Sequence, residues 1–412
     1  MNNIVNPYGT IELKNNSFKL TFGYLYDDKI SVIYKKEYPL TSSNKDGDIF
    51  DVNSLTNDLK KIKVIDDDEL RLKIELNEVV LILQPYGLDV FKSENTTETT
   101  SIDSKIQKLD IKNVINMAKK LSVGEYNEIV DIVPSVFFLD NNKAFNEPPL
   151  GFVSKEIKVN SHVYSLPKEY VENVKNAIIN AGLGIKKVVI APLGVASLLE
   201  KENLDLQKYL LIDYNSDNTI VSFIANNKVF GSRYFSLGGY DVTKDIANNF
   251  EISMENAENL KKIYGFDTRE NEFNPPIIEV KSDDGSIKKF NKNDLNEVVS
   301  SSLNEWKKMF SNCVDTLLND YNDLKSNIPL VFIGNSTKIN GFKEFISYLY
   351  PSNKLVFYKY NAFGGDSPSD VKALGAISFV STYKGSLEDD TRIEITKINR
   401  ENNVYSEEDD EL

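Results

Sequence analysis

The sequence predicts an α/β protein of two similar lobes around a cleft, and three observations predict it. Residues 10–65 and 209–265 each read as three antiparallel strands followed by a helix, a weak internal repeat. In each repeat an acid, Glu12 or Asp213, stands at a strand end before a small polar turn. Buried apolar strands are also read at 187–190, running into a short helix, and at 330–333, ending in Gly334.

The elements follow in order. Residues 8–35 alternate apolar and polar about a turn at Asp27 and Asp28, as a β-hairpin does. Residues 40–51 are polar and loop-like, and 70–83 give two further strands. The stretch 92–105, KSENTTETTSIDSK, reads as a low-complexity polar loop. A helix at 109–121 is followed by strands at 127–139 and 152–165. The helix at 168–181 ends at Gly182 and Gly184, and a short helix covers 193–201. In the second half, strands at 209–212, 220–225 and 229–235 lead to Gly238, Gly239 and an amphipathic helix over 242–250. Residues 253–327 are charged and mostly helical, with a strand pair around 277–290. Helices are expected at 342–349 and 370–383. From Gly385 the chain is polar to its SEEDDEL end and is expected to be disordered.

Composition narrows the function classes. A chain of 412 residues holds about two or three domains. A net charge of -14 argues against nucleic acid or an anionic membrane as main partner, since both attract basic stripes. Only five of the 48 basic residues are Arg (Arg71, Arg233, Arg269, Arg392, Arg400); Asn and Lys are used heavily, a bias set more often by an AT-rich genome than by mechanism. The single cysteine, Cys313, forms no intrachain disulfide and reads as a small buried hydrophobe. His162, the single histidine, lies in an alternating strand and reads as structural, so a zinc site has no support. The opening MNNIVNPYGT lacks the features of a signal peptide, and no apolar run approaches a membrane span; a cytoplasmic protein is expected.

Three short runs carry a resemblance. Residues 12–19, ELKNNSFK, are similar to the pattern D/E-I-G-S/T-S-x-x-K. Residues 213–220, DYNSDNTI, are similar to D-I-G-G-G-T-T-D, and 329–342, PLVFIGNSTKINGF, to P-I-V-L-T-G-G-G-S-x-L-P-G-L. These are the two phosphate loops and the adenosine motif of the actin-like superfamily. Within it the chain resembles the bacterial FtsA family, on GGYDVTKDIANNFEISMENAENLKKIYG (238–265), on DIVPSVFFLDNNKAFNEPPLGFVSKEIKVNSHVYSLP (131–167) and on DVKALGAISF (370–379). The resemblance implies an actin-like two-lobed ribonuclease-H-type α/β fold with an FtsA-type inserted subdomain. Residues 1–84 and 166–205 would form lobe 1, and 85–165 the inserted subdomain. Residues 206–252 and 328–384 would form lobe 2, its last helix crossing back to lobe 1. Residues 253–327 would form a further subdomain, and 385–412 an acidic tail.

The resemblance also implies a nucleotide site, if one is retained: Glu12, Lys14, Asn15, Asn16 and Lys19 from the first loop; Asp213, Asn215, Ser216 and Thr219 from the second; Gly238 and Gly239; and Gly334, Asn335 and Ser336. Glu12 and Asp213 would hold magnesium around ATP. Yet Lys14, Asn215, Ser216, Asp217, Asn335 and Ser336 stand where the family usually has glycine, which such loops need for φ > 0 and close backbone approach. Asp217 adds negative charge; Lys14 offsets part of the loss. A micromolar site corresponds to about -8 kcal/mol, and losing three or more contacts at roughly 1 kcal/mol each moves it toward the millimolar range. Ala191 occupies the position where relatives carry a water-aligning Glu, and a methyl group orients no water. ATP with magnesium is therefore expected to bind weakly or not at all, with turnover absent or very slow.

For partners, the resemblance implies self-association into filaments and binding of the C-terminal tail of the tubulin-like protein FtsZ by the lobe containing the helix at 294–320. Ser302, Trp306, Lys307 and Lys308 are the candidate contacts there, although Leu303, Trp306 and Phe310 also read as an apolar core face. The small residues Gly194, Ala196, Ala373, Gly375 and Ala376 suit two closely crossing helices. The tail from 390 to 412 lacks a basic amphipathic helix, so any membrane contact would be indirect. An active filament-forming or DNA-segregating actin-like ATPase and a PilM-type pilus-assembly scaffold remain as alternatives.

Overall fold

A five-stranded sheet organises each of the two units of the computed structural model, which describes residues 7–382 apart from 28, 46, 49–50, 68–71, 203, 205, 268–273, 282–285 and 366. One unit comprises the chain up to Lys201 with Ala362–Gly364 and the segment from Lys372; the other comprises Glu202–Asn361 and Gly365–Val371.

In the first unit, β1 (Tyr8–Leu13), β2 (Ser17–Tyr26) and β3 (Lys29–Pro39) form an antiparallel meander, and the turn after β2 puts Asp27 at positive φ. Helix α1 (Val52–Lys60) follows, its N-terminus capped by the Asp51 carboxylate on the Ser54 amide. A strand pair, β4 (Val64–Asp67) and β5 (Leu72–Glu75), precedes β6 (Glu78–Leu83), which runs parallel to β1 and reads as the near-continuous apolar run of a strand covered on both faces.

The chain then leaves this sheet for an inserted module. Strand β7 (Asp89–Glu98) pairs with β10 (Glu156–Pro167), which pairs with β8 (Asn127–Leu139) and through it with the short β9 (Ala144–Phe145). Helix α2 (Lys108–Met117) covers one face with Ile111, Val114 and Ile115 against Ile132, Phe137, Val159 and Val163. The polar loop expected over 92–105 is corrected here. Residues 92–98 belong to β7, an edge strand whose alternate side chains face solvent, so its polarity reflects one wet face and its ladder to β10 fixes the backbone. Asp110, fully buried at the start of α2, accepts from the amides of Gln107 and Thr100 and from the Thr100 hydroxyl, anchoring the segment after β7.

Helix α3 (Lys168–Asn180) and strand β11 (Gly184–Ile190) return to the sheet, giving the order β11-β6-β1-β2-β3, and α4 (Ala191–Lys201) closes the run. Lys187 of β11 pairs at 2.9 Å with buried Asp131 of β8 and so ties the module to the sheet. The His162 ring nitrogen Nδ1 lies 2.8 Å from the Ser135 hydroxyl, in keeping with a structural role.

The second unit repeats the scheme. Strands β12 (Lys208–Tyr214), β13 (Thr219–Ala225) and β14 (Lys228–Phe235) form an antiparallel meander followed by α5 (Gly239–Phe250) and α6 (Met254–Ile263). A hairpin, β15 (Pro276–Lys281) and β16 (Ile287–Asn291), leads into α7 (Lys292–Leu317). Strand β17 (Leu330–Ile333), α8 (Phe342–Leu349) and β18 (Leu355–Phe357) complete the sheet β14-β13-β12-β17-β18. Its order matches that of the first sheet: three antiparallel strands, then two parallel ones. Helix α7 buries Leu295, Val299, Leu303, Trp306 and Phe310 at helical spacing and ends three residues before the expected 320.

The last helix, α9 (Val371–Thr382), belongs to the first unit from Lys372 onward and crosses α4. A Cβ on Gly375 would stand 2.6 Å from the Gly194 carbonyl oxygen, so the two backbones touch and neither position accepts a side chain without a shift. Among the described residues no helix is long and apolar enough to cross a membrane.

Candidate functional site

The first turn is built at the end of β1. Glu12 pairs in register with Lys19 of β2, and Lys19 with Glu37 of β3, so the three side chains share one face of the sheet. Glu12 is 1% exposed, and its Oε1 lies 2.6 Å from the Lys372 ammonium of α9, itself buried; Gln84 Nε2 donates to the same oxygen at 3.2 Å. The other carboxylate oxygen, Oε2, is buried with no hydrogen-bond partner among the described residues. The turn closes with the Lys14 amide donating to the Ser17 carbonyl at 2.9 Å. Asn15 and Asn16 contribute their carbonyls, which accept from the amides of Asn44 and Leu40. Lys14 Nζ and the Ser17 hydroxyl both donate to Glu37, at 2.8 and 2.5 Å. Burial pushes the Glu37 carboxyl up, but these hydrogen bonds and the nearby Lys14 and Lys19 charges outweigh it and hold the group below the usual carboxylate range.

The second turn is held chiefly by backbone, amide and hydroxyl groups. Asp213 and Tyr214 end β12, and the Asn215 amide donates to the Asn218 carbonyl at 2.9 Å. The Asn215 carbonyl accepts from the Ser336 hydroxyl at 2.6 Å and from the Gly239 amide at 3.0 Å; the Ser216 carbonyl accepts from the Tyr240 amide at 2.8 Å. The Gly238 amide donates to Asp241 and the Gly239 amide also to Ser336 Oγ, so the first amides of α5 are already engaged. Glycine is required here for close approach: a Cβ would meet Ser216 O at 2.0 Å from Gly238, and Tyr214 O at 2.3 Å from Gly334, which also has φ of 94°. None of Lys14, Asn215, Ser216, Asp217, Asn335 and Ser336 is among the described residues at positive φ, so these turns do not use the left-handed conformation expected of them. Asn335 is exposed, and its Oδ1 accepts from Ser367 at 3.2 Å.

Three expected site residues, Thr219, Trp306 and Ser302, are buried in the structure. Thr219 is fully buried, accepts from Trp306 Nε1 at 2.8 Å and donates to the Leu237 carbonyl at 2.8 Å, so its hydroxyl is a core fastener with no face for a phosphate. Trp306, 2% exposed, packs against Tyr214, Phe310 and Phe342 and presents no surface to a partner. Ser302 is also buried, bonded to Asp245 at 2.5 Å and to the Val298 carbonyl at 3.1 Å. Of the four residues proposed for a partner, Lys307 is part-exposed and Lys308 exposed.

Sequence reasoning missed Lys372, Gln84 and Glu37 around the first turn, and Lys261 with Glu258 beside the second. Lys261, buried in α6, donates to the Gly239 carbonyl at 2.7 Å and to Thr243 Oγ1 at 2.6 Å, and pairs with Glu258 at 2.6 Å. The signals were available: a lysine inside the apolar run DVKALGAISF, and a Glu and a Lys three apart on one helix. Set against a magnesium-bound triphosphate, the residues do not fit as they stand. The Glu12 carboxylate is already neutralised, Lys14 is turned onto Glu37, and the α5 amides are bonded to their own chain.

Comparisons with known proteins bear on this arrangement. A family model described as "Cell division protein FtsA" matches residues 210–367, and one described as "SHS2 domain inserted in FTSA" matches residues 89–165, together more than half the chain. The cell division protein FtsA of Bacillus subtilis is 24% identical over 259 residues, 63% of this chain and 58% of that one. FtsA of Streptococcus pneumoniae is 26% identical over 54% of this chain and 48% of its own. The chain thus spans less than two thirds of these relatives. FtsA of Staphylococcus epidermidis matches over 90% of this chain and 78% of its own at 22% identity. Among solved structures, a PilM-PilN type IV pilus biogenesis complex superposes with a TM-score of 0.57 at 15% identity, over 90% of this chain and 97% of that one. MreB5 of Spiroplasma citri bound to ADP does so with 0.52 at 12%, over 93% and 99%. The fold is therefore the actin-like α/β fold with the expected inserted domain.

Proposed function

We propose that this chain, which belongs to the FtsA family of cell-division proteins, works as an actin-like scaffold in cell division. In this reading it self-associates into filaments and links the C-terminal tail of FtsZ to the division site on the inner face of the membrane. The observation that carries the reading is the match of the family's own inserted-domain model to residues 89–165, the β7-β10-β8-β9 module, in a chain whose second unit matches the FtsA model. Lys307 and Lys308 of α7 are the proposed contacts for the tail. The likeness to the PilM complex bears on fold alone and adds no support for a pilus role.

In the same reading the chain turns over ATP very slowly or not at all. Two features support this. Ala191 begins α4, where the family resemblance asks for a water-aligning carboxylate. Both turns spend their polar groups on the protein itself. The test is co-sedimentation of the purified chain with FtsZ polymers and pull-down by the FtsZ tail peptide, beside an ATPase assay. Co-sedimentation that is lost in Lys307→Glu/Lys308→Glu, with no phosphate release, is expected. Clear ATP turnover abolished by Glu12→Ala, or no binding to FtsZ under any nucleotide condition, overturns the reading.

A further inference from the structure

Five charged side chains alternate in sign around the first turn. Lys372 meets Glu12; Lys19 stands opposite both Glu12 and Glu37 in the register of β1, β2 and β3; Lys14 meets Glu37. We propose that this turn carries its own counter-ions: the Lys372 ammonium stands on Glu12 in place of a divalent cation, and the Glu37 carboxylate stands on Lys14 and Ser17 in place of a phosphate. The proposal rests on the reading of residues 12–19 as the family's first phosphate loop and is independent of any partner.

The geometry supports each substitution. A 2.6 Å contact between two side chains 5% and 1% exposed leaves the ammonium as the Glu12 counter-charge, with Gln84 adding a donor to the same oxygen. Oε2 of Glu12, buried without a hydrogen-bond partner among the described residues, is the oxygen left for a metal, which would have to place its charge beside the ammonium already on Oε1. On the other side, Glu37 takes both the ammonium of Lys14 and the hydroxyl of Ser17, the donor types that grip a phosphate oxygen. The carbonyls of Asn15 and Asn16 are fastened to the amides of Asn44 and Leu40, so the turn is held in this state by backbone as well.

The test compares unfolding midpoints of wild type, Lys372→Met, Glu12→Gln and the double variant in EDTA and in manganese(II), with manganese uptake read by electron paramagnetic resonance. Wild type is expected to bind no manganese and to keep its midpoint. Lys372→Met is expected to be weakened in EDTA and recovered by manganese, with an affinity at least about tenfold above wild type, because a ligand of the folded state alone stabilises it. The double variant should ignore the metal. A separate arm titrates inorganic pyrophosphate into wild type and Glu37→Gln, where freeing Lys14 should raise the affinity at least about fivefold through a new charge-assisted bond. Manganese bound by wild type overturns the proposal, as does a Lys372→Met protein that manganese leaves unchanged, or a Glu37→Gln protein with no gain for pyrophosphate. Should the Lys372→Met variants not fold, the wild-type arm decides the cation half by itself. Loss of FtsZ binding alone would sink the scaffold reading and leave these outcomes untouched.

Discussion

The two turns occupy equivalent places in sheets of the same strand order, yet they are closed by different chemistry. The first is closed by charge: Lys372 on Glu12, Lys14 on Glu37, with Lys19 opposite both acids. The second is closed chiefly by backbone and serine hydrogen bonds, with the Asn215 carbonyl shared between Ser336 and Gly239 and the Ser216 carbonyl taken by Tyr240, while Lys261 reaches the Gly239 carbonyl and Thr243 Oγ1 of α5. A glycine-poor turn can thus reach the same endpoint by two routes. At the first turn cations from the same chain stand on the acids, because an unpaired buried charge is far costlier than an unpaired amide. At the second turn a serine hydroxyl and helix N-terminal amides take the turn carbonyls.

This difference can be broken by mutation, and the largest effect falls on the charged turn. Lys372→Met should cost about 3–5 kcal/mol in urea unfolding, since it leaves Glu12 buried and unpaired, and adding Glu12→Gln should return much of that. A double variant no better than the single one would show that Lys372 acts through packing. Next comes Ser336→Ala at the second turn, where loss of the neutral bonds to Asn215 and Gly239 should cost roughly 1–2 kcal/mol and show little dependence on salt. A loss as large as that of Lys372→Met would erase the distinction between the turns. Smaller still is Glu37→Gln: its pair with Lys14 is part-exposed, and solvent screening leaves at most about 1 kcal/mol, shrinking as salt is raised.

Acid titration sharpens the same contrast. Burial raises the Glu37 and Asp58 carboxyls, but hydrogen bonds from Lys14 and Ser17 to the one, and from Lys61 and Thr41 to the other, outweigh it and leave both below their ordinary values. The unfolded chain therefore takes up protons first as pH falls. Stability from these groups is complete above about pH 4.5 and is lost as pH drops through the lowered folded values. The melting midpoint should fall below pH 4, and less steeply in Glu37→Gln; equal slopes would remove Glu37 from the account.

Much of the fold was legible because burial writes a period into the sequence. The alternation of residues 8–35, the continuous apolar run of β6 and the helical spacing of Leu303, Trp306 and Phe310 each have a single efficient packing solution. Strand β7 was missed because an edge strand with a wet face has the composition of a loop. At the site, Glu12 and Asp213 could be found as strand-end acids. The lysine inside the apolar run DVKALGAISF marks a buried charge but not its partner, since Lys372 lies at the far end of the chain from Glu12 and only tertiary folding brings them together. The burial of Thr219 was hidden for a related reason: a hydroxyl and an indole N–H which satisfy each other in a core look, in sequence, like groups available to a ligand.

Calorimetric titration of the wild-type chain with magnesium–ATP tests the central claim most directly, because a triphosphate has to displace the groups that each turn already holds. Self-satisfied turns predict no saturable heat below about millimolar nucleotide, the same with and without magnesium. A magnesium-dependent, one-to-one isotherm in the micromolar range would contradict it.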